Sequence, residues 1–417
     1  MSATDRRATG TRRRRTISAV AGALATVLVL GGAGYYGYTA LTAPLPAASA
    51  SIALPSTTTS AASALPDTDW PDTGAGAISI LSRSEPLSEF GDASPRPIAS
   101  ITKVITALVI LDKHPLAADE DGPDIAITAD DAALFWDVLA ADGTSAPVYP
   151  GTSLTQRQVL EAIMLPSANN YAISLSRWAF GSDDAFLEAA RSWLEEHGMD
   201  DTVVTDASGL DAGSVSTPRD LLTLAGLAMQ NTALSAIASQ TSAELPMIGT
   251  IENSNELLGV SGVTGIKTGT SNAAGAGLLF SAEVDVDGRD VTLVGAVLGQ
   301  DTPSARSEAV RTAIESTTGS LHAETLIPAG TAVGEYRSAW GDRASLYITA
   351  DLVEVLWRDE QPTITVDAEP VSTADSGDEV GTLVSTVPGH RTSVPVAVRG
   401  GLNEPSPWWR LANPNLG

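Results

Sequence analysis

The stretch that decides the fold is VTGIKTGTSNAAGAGLLFSAEVDVDGRDVTLVGAVL, which spans residues 263–298. It contains three apolar runs, Val263 to Thr268, Gly277 to Val284 and Val291 to Leu298. Asp287-Gly288, between the last two runs, is typical of a two-residue hairpin turn. We therefore predict consecutive antiparallel strands here.

Helix-start signals lie on both sides of these strands. Thr217-Pro218 and Thr302-Pro303 each place an N-cap residue before a proline at the first helical position. They predict helices that run to about Gln230 and Glu315. The expected fold class is therefore α/β (α+β), with an antiparallel sheet flanked by helices.

Composition excludes several function classes. The 417 residues carry 24 basic and 50 acidic side chains, a net charge of −26, and phosphate binding needs clustered Lys and Arg. We therefore expect no nucleic-acid partner. The chain has no Cys and only four scattered His, so thiol chemistry and a His-ligated zinc centre are not expected. We predict no metal and no cofactor.

The N-terminus is typical of a membrane-targeting segment. Six Arg lie within residues 1–16, and an uncharged apolar stretch, residues 17–38, follows them. About 20 apolar residues can span a bilayer, and the Arg cluster predicts a cytoplasmic N-terminus. Ala48-Ser49-Ala50 leaves a second interpretation open, a cleaved secretory signal. Both interpretations place the rest of the chain outside the cytoplasm, either anchored in the cell membrane by one span or secreted.

The remaining chain divides into three segments. Residues 39–74, rich in Ala, Ser, Thr and Pro, predict a flexible linker. Residues 75–318 carry the helix signals and the strands described above. Residues 319–417 alternate polar and apolar side chains between Gly, Pro and Asp turns, and we expect a small all-β domain without helices. Beyond residue 50 the chain has 18 basic and 49 acidic residues, a net charge of −31.

The first chemical motif is Ser100-Ile101-Thr102-Lys103. Apolar residues recur with helical spacing after it, so a helix brings the Ser hydroxyl and the Lys amine to one face. The serine could then act as a nucleophile with the lysine as its base. The chain has only three Lys against 21 Arg, and Arg cannot act as a base in a protein. This scarcity makes Lys103 and Lys267 notable.

Two further motifs follow in order. Ser167-Ala168-Asn169 lies just beyond a helix that begins with a T-x-x-Q capping box at Thr155 and ends at Pro166. Lys267-Thr268-Gly269 lies on the first predicted strand. The first residues of the three motifs are 67 and 100 positions apart. This order on a helix, a loop and a strand makes a chance match improbable.

With these motifs the chain resembles the serine penicillin-binding proteins and β-lactamases. It is more similar to the low-molecular-mass D-alanyl-D-alanine carboxypeptidases over about residues 75–318. The closer likeness rests on five stretches, PIASITK (97–103), MLPSANN (164–170), DASGLD (206–211), STPRDL (216–221) and GVTGIKTG (262–269). Two positions depart from that family, Asn170 where Asp is common and Thr270 where Tyr or His is frequent. Both departures could alter substrate contacts.

The resemblance implies roles in acyl transfer. Ser100 would attack the carbonyl carbon of the penultimate D-Ala, and Lys103 would accept the serine proton. The backbone N–H groups of Ser100 and Thr270 would stabilise the oxyanion.

The resemblance also implies the substrate contacts. Ser167 would relay a proton to the leaving amine, and Asn169 would hold the substrate amide. Lys267 supplies positive potential, while Thr268 and Arg306 would bind the terminal carboxylate. Gly269 completes the strand motif.

The resulting hypothesis is a serine-type carboxypeptidase that removes the terminal D-Ala from peptidoglycan stem peptides. Its expected partners are stem peptides ending in D-Ala-D-Ala, β-lactams as covalent inhibitors, and the membrane through the N-terminal helix. D,D-endopeptidase and esterase activity stay open as alternatives. A β-lactamase is disfavoured because no E-x-x-L-N segment lies between the second and third motifs. A non-catalytic penicillin-recognising module is disfavoured because every motif residue is present.

Overall fold

The structure is a computed structural model that describes residues 6–55, 65 and 67–414, with side chains from residue 19 onward. The start of the predicted cytoplasmic tail (1–5), parts of the predicted linker (56–64 and 66) and residues 415–417 lie outside the described residues.

Helices and strands alternate in the first three quarters of the described chain. The helices of this part are α1 (Arg6–Thr42), α2 (Thr102–Lys113), α3 (Ala129–Ala140), α4 (Gln156–Met164), α5 (Asn169–Phe180), α6 (Asp183–Glu196), α7 (Pro218–Gln230), α8 (Thr232–Ala238) and α9 (Pro303–Thr318), while a tenth helix, α10 (Pro407–Ala412), lies near the C-terminus. The strands of this part are β1 (Ser49–Ile52), β2 (Ala75–Ile80), β3 (Ser88–Gly91), β4 (Arg96–Pro97), β5 (Asp124–Ala126), β6 (Ser153–Thr155), β7 (Val215–Ser216), β8 (Ser242–Leu245), β9 (Gly249–Glu252), β10 (Val263–Ser271), β11 (Gly275–Val286) and β12 (Arg289–Gln300).

Strands dominate after α9. They are β13 (Leu321–Ile327), β14 (Ala332–Arg337), β15 (Arg343–Ile348), β16 (Leu352–Trp357), β17 (Thr363–Ala368), β18 (Glu379–Val387) and β19 (His390–Arg399).

A five-stranded antiparallel sheet in the order β10-β11-β12-β2-β3 forms the frame of the first unit. The three strands predicted from residues 263–298 are its β10, β11 and β12, and Asp287-Gly288 forms the turn between the last two. Helices pack against this sheet, so the predicted fold class is confirmed. Thr155, Thr217 and Thr302 cap α4, α7 and α9 as their sequences indicate.

The helix that follows the S-x-x-K motif lies at the centre of the core. Residues 102–111 of α2 are all buried, which includes the polar Thr102, Lys103 and Thr106. A helix that is buried all round needs apolar residues on every face, and the run from Val104 to Leu111 supplies them. The packing of α2 in the core therefore fixes the position of Lys103.

The last quarter of the chain folds into a second sheet, in the order β1-β14-β15-β19-β18-β17. Its edge strand, β1, comes from the segment predicted as a flexible linker, and pairs from Ser49 opposite Arg337 to Ile52 opposite Gly334. The composition of residues 39–74 did not indicate this pairing. An edge strand is held by backbone hydrogen bonds to its neighbour, and these bonds do not depend on the types of side chain that composition records.

The expectation of a β-rich tail without helices is wrong at one place. The short helix α10 begins at Pro407, and the Ser406 hydroxyl accepts a hydrogen bond from the backbone N–H of Trp409 at 3.3 Å. Ser406-Pro407 is the same N-cap and proline signal that starts α7 and α9.

A buried arginine joins the end of β2 to β16, a strand that pairs with β13 in a separate two-stranded sheet. Arg83, which follows β2, donates to both carboxylate oxygens of Glu360 at 2.8 and 3.0 Å and to the carbonyl of Val355 at 2.7 Å. Its side chain is 3% exposed. A bidentate pair of this kind fixes orientation as well as distance.

The buried face of α4 yields a prediction about stability. Leu160→Ala removes a side chain that is fully buried in the main core, so we expect the free energy of unfolding to fall by about 2 to 5 kcal/mol. The matched control is Leu139→Ala on α3, where the leucine is 43% exposed and the loss should be much smaller. Thermal unfolding of both variants measures the difference, and equal losses would contradict this description of the core.

Candidate active site

Ser100 lies in a single turn of 3-10 helix, Ala99–Ile101, immediately before α2. Two glycines allow other segments to approach this turn closely. A Cβ on Gly209 would stand 1.9 Å from the carbonyl oxygen of Ala99, and one on Gly269 would stand 2.6 Å from that of Ile98. Gly209 also has a φ of +71°, which L side chains rarely adopt. The serine turn is thus held between the 206–211 loop and the K-T-G strand.

Lys103 lies next to the serine hydroxyl. Its Nζ is 2.9 Å from Ser100 Oγ and donates to the carbonyl oxygen of Ser208 at 2.6 Å. The side chain is fully buried. Burial lowers the pKa of Lys103 well below its usual value, the positive charge of Lys267 lowers it further, and Asp206 opposes both effects. A lysine in this environment can exist as the neutral amine that a general base requires.

The S-x-N loop lies beside this pair. Ser167 has a φ of +67°, and its buried hydroxyl has no hydrogen-bond partner among the described residues. Asn169 begins α5; its Oδ1 accepts from the backbone N–H of Thr144 at 3.1 Å, and its Nδ2 is 3.4 Å from the same Ser208 carbonyl that Lys103 binds. The structure therefore brings the S-x-x-K and S-x-N motifs to one carbonyl.

Asn170 binds the protein backbone through its side-chain amide. Its amide accepts from the backbone N–H of Ala146 at 3.1 Å and donates to the Ala146 carbonyl at 3.0 Å, and its side chain is buried. These two bonds hold the loop that contains Thr144 against α5. Both ends of its side-chain amide are thereby engaged by protein backbone.

The K-T-G motif places a second buried lysine on β10. Lys267 is 1% exposed, and its Nζ lies 3.4 Å from Thr268 Oγ1, which is 2.8 Å from Ser254 Oγ. Burial lowers the pKa of Lys267 to about 7, and the positive charge of Arg306 contributes to the decrease.

Arg306 is a buried residue of the first turn of α9. It is 3% exposed, and its Nε has no hydrogen-bond partner among the described residues. Burial lowers its pKa, and Glu256 partly offsets that effect. The positive charge of Arg306 acts on Lys267, so a bound anion would stabilise the charged forms of both buried side chains.

An open cleft of about 950 Å³ runs past the serine. Ser100, Asn169 and Thr270 line it, whereas Lys267 and Arg306 do not. Charged residues that the sequence analysis did not single out, Arg96 and Asp142 among them, also line this cleft. Arg96 lies four residues before Ser100 in the sequence, which was the only available indication that it lines the cleft. On sequence alone it resembled an ordinary surface charge.

The 206–211 loop, to which no role was assigned from sequence, positions the carbonyl that Lys103 binds. The carboxylate of Asp206 accepts hydrogen bonds from the Ser208 backbone N–H and hydroxyl, each at 2.6 Å, and from the Asp211 N–H at 2.8 Å. These bonds fix the Ser208 carbonyl that binds Lys103. The D-x-S spacing is typical of an Asx turn, so a local signal for this loop did exist.

Comparison with known proteins identifies a family that the chain matches. The profile of a family described as D-alanyl-D-alanine carboxypeptidase matches residues 87–302, more than half of the chain. This range contains all three motifs and ends just before Arg306. The fold is similar to that of a peptidoglycan synthesis regulatory factor (PBP3) from Streptococcus pneumoniae, with a TM-score of 0.63 and 20% identity over 79% of this chain and 99% of that one.

Two curated relatives are also similar in sequence. A D-alanyl-D-alanine endopeptidase of Pseudomonas aeruginosa is 35% identical over 31% of this chain and 38% of its own length. The carboxypeptidase DacB2 of Mycobacterium tuberculosis is 33% identical over 43% of this chain and 59% of its own length. The chain thus spans only about two fifths to three fifths of these two relatives. On the match of the family profile across all three motifs, the chain belongs to the D-alanyl-D-alanine carboxypeptidase family.

Proposed function

We propose that the protein is a serine-type D-Ala-D-Ala carboxypeptidase that removes the terminal D-Ala of peptidoglycan stem peptides through an acyl-enzyme. The observation that carries this proposal is the 2.9 Å contact between Lys103 Nζ and Ser100 Oγ, made by a fully buried lysine. A nucleophile within hydrogen-bond reach of a base with a lowered pKa is the requirement for covalent catalysis.

Acylation begins at Ser100. Neutral Lys103 accepts the hydroxyl proton as Oγ attacks the carbonyl carbon of the penultimate D-Ala. Backbone N–H groups of Ser100 and Thr270 hold the developing oxyanion, a type of contact in which one donor is worth about 3 kcal/mol. The peptide bond then breaks, and the amine of the terminal D-Ala leaves with a proton.

Ser167 is the proposed relay for that proton. Its hydroxyl is buried and lacks a hydrogen-bond partner among the described residues, so it is available to the leaving amine. Asn169 holds the substrate amide. Water then attacks the acyl carbonyl, which releases the shortened peptide and restores Ser100.

The terminal carboxylate occupies the site beside Lys267, Thr268 and Arg306. An exported chain with a net charge of −31 beyond residue 50 does not attract anions at long range, so binding depends on local cations. The two buried side chains supply them. This pocket favours a free C-terminus over the internal bond that an endopeptidase cleaves.

Endopeptidase activity is the second candidate, because one of the similar relatives carries that name. The wide cleft lined by Ser100, Thr270 and Arg96 leaves room for a longer chain. β-Lactams, which carry an acyl-donor amide and a carboxylate, are the proposed covalent inhibitors of either activity.

The proposed location is the cell membrane. In the described part of the chain, Ala19–Thr42 of α1 is long and apolar enough to cross a bilayer, as a signal sequence near the N-terminus could also be. The Arg-rich residues before it favour a cytoplasmic N-terminus, which puts the catalytic unit outside.

The nucleophile is tested first. Ser100→Ala should abolish covalent labelling by a labelled penicillin, because no other hydroxyl lies next to Lys103 Nζ among the described hydrogen bonds. Gel fluorescence measures the label, and Ser192→Ala on the exposed face of α6 is the matched control. Persistent labelling of the Ser100 variant, with labelling of the control unchanged, would contradict the assignment.

The base is tested by keeping the charge and removing the basicity. Arginine stays protonated in proteins, so Lys103→Arg should lose acylation by roughly 10²-fold or more, as expected for the loss of general base catalysis. Lys103→Ala should be similar. The rate of penicillin acylation measures both, and substantial acylation by the Arg variant would mean that Lys103 acts only as a charge.

The carboxylate pocket is tested by comparing two substrates. Removal of D-Ala from diacetyl-Lys-D-Ala-D-Ala should have a kcat/KM about 10 to 100 times higher than cleavage of the same bond in the C-terminal amide, since the amide loses a charge-assisted contact. Arg306→Ala should lower the value for the acid and change that for the amide little. Equal cleavage of acid and amide by the unaltered protein would favour the endopeptidase.

The pH dependence follows from the pKa of Lys267, which burial lowers to about 7. Below that pH Lys267 is charged and attracts the substrate carboxylate; above it the charge is lost, so kcat/KM for the acid peptide should decrease as the pH rises through about 7. Lys267→Arg keeps its charge and should remove this decrease. Parallel alkaline profiles for both proteins would contradict this role.

A further inference from the structure

The cleft of about 950 Å³ beside Ser100 extends away from the proposed pocket for the terminal carboxylate. Lys267 and Thr268, which belong to that pocket, do not line the cleft, whereas Thr270 and Ser271 do. The terminal D-Ala therefore lies on one side of the serine. A stem peptide whose reacting carbonyl is held at Thr270 continues into the cleft with the residues upstream of the scissile bond.

The cleft has one positively charged side chain. In the part of the chain that the structure describes, Arg96 is the one cation among the residues that line it. The other charged residues of the lining are Asp142 and Asp301, both exposed acids. Like charges repel and opposite charges attract, so an anionic group of the substrate has one favourable partner in this cleft.

Arg96 is held in place at both ends. Its backbone belongs to β4 and pairs with Ser216 of β7. Its side chain reaches the end of β12, where a Cβ on Gly299 would stand 2.9 Å from Arg96 Nη1. Gly299 also has a φ of +72°, a conformation that favours glycine. The absence of a side chain at residue 299 thus makes the space that the guanidinium occupies.

The guanidinium of Arg96 retains donors for a ligand. Its Nε is buried and has no hydrogen-bond partner among the described residues. The carboxylate of Asp92 instead accepts from the backbone N–H and the hydroxyl of Ser94, at 3.0 and 2.7 Å. Five other arginines of the catalytic unit form ion pairs with carboxylates, namely Arg83, Arg157, Arg177, Arg219 and Arg311. Arg96 differs from them because a buried donor without a partner favours binding of an acceptor.

The register of the sheet gives the reach that a ligand of Arg96 needs. Thr270 of β10 lies opposite Ala276 of β11, which lies opposite Gln300 of β12, the residue after Gly299. Two strand spacings amount to about 10 Å, so Arg96 Nη1 lies roughly this far from the oxyanion position. An extended peptide advances about 3.3 to 3.6 Å per residue. A group that reaches Arg96 therefore belongs to a long side chain next to the reacting D-Ala or to the residue before it.

Stem peptides carry carboxylates within that reach. One is the free α-carboxylate of the γ-linked D-Glu at the second position, and another is the side-chain carboxylate of a third residue that is a diamino dicarboxylic acid. We propose that Arg96 binds a carboxylate of the stem peptide upstream of the scissile bond and thereby determines which stem peptides are preferred. This inference rests on the proposed carboxypeptidase activity and specifies the acyl-donor part of its substrate.

The test compares two pairs of peptides that end in D-Ala-D-Ala, with release of D-Ala as the readout. One pair is γ-D-Glu-Lys-D-Ala-D-Ala with the α-carboxylate free or amidated. The other is acetyl-diaminopimelyl-D-Ala-D-Ala with the side-chain carboxylate free or amidated. For at least one pair we expect the unaltered protein to have a kcat/KM about 10-fold higher for the acid than for the amide. That pair identifies the carboxylate that Arg96 binds.

Variants assign this preference to Arg96. Arg96→Gln should reduce the ratio of acid to amide to about 1, whereas Arg96→Lys keeps the charge without the planar fork and should retain part of the preference. Arg289→Gln, in the exposed turn at the opposite end of β12, is the matched control and should leave the ratio unchanged. A purely structural role of Arg96 would lower both values of kcat/KM together and would not move their ratio.

Two outcomes would overturn the role of Arg96: equal cleavage of acid and amide in both pairs by the unaltered protein, or an undiminished ratio in Arg96→Gln. Diacetyl-Lys-D-Ala-D-Ala, which has no upstream carboxylate, separates this failure from a failure of the proposed function. If the unaltered protein releases D-Ala from it, the carboxypeptidase stands even where the role of Arg96 is contradicted. No release from any of these peptides would contradict the carboxypeptidase and this inference together.

Discussion

The arrangement of the site depends on burying one amine, that of Lys103, inside the core. Its Nζ contacts Ser100 Oγ at 2.9 Å and the Ser208 carbonyl at 2.6 Å. A charged ammonium in this position would be costly, so the same burial that fixes the geometry also lowers the pKa of the amine. Burial of Lys103 therefore determines both where its amine lies and how readily that amine gives up its proton.

The surrounding structure maintains that constraint from three directions. Asp206 orders the loop that presents the Ser208 carbonyl, and Gly209 lets the loop reach the serine turn. Asn169 donates to the same carbonyl from the start of α5. On the strand side, Lys267 lies near enough for its charge to lower the pKa of Lys103. The three motifs thus act on each other through backbone and charge.

Further contacts link the catalytic unit to the later strands and to α1. Arg83 ties the end of β2 to Val355 of β16 and to Glu360 just beyond it, and the backbone N–H of Ser84 donates to the carbonyl of Gly389, between β18 and β19, at 3.0 Å. Arg410 of α10 donates to carbonyls at the end of α1. Both arginines are nearly enclosed by protein, with side chains 3% and 14% exposed. A continuous set of contacts therefore connects α1 with the frame that holds Ser100.

The sequence by itself determined the three strands of residues 263–298, the capped starts of α4, α7 and α9, and the three motifs, because turns, caps and apolar periodicity are local signals. Tertiary structure decided the rest. Arg306, which the sequence could equally place on a helix surface, is buried near Lys267, and β1 lies in a distant sheet. These outcomes depend on contacts between residues far apart in the chain, such as Ser49 with Arg337, and local patterns carry no information on such pairings.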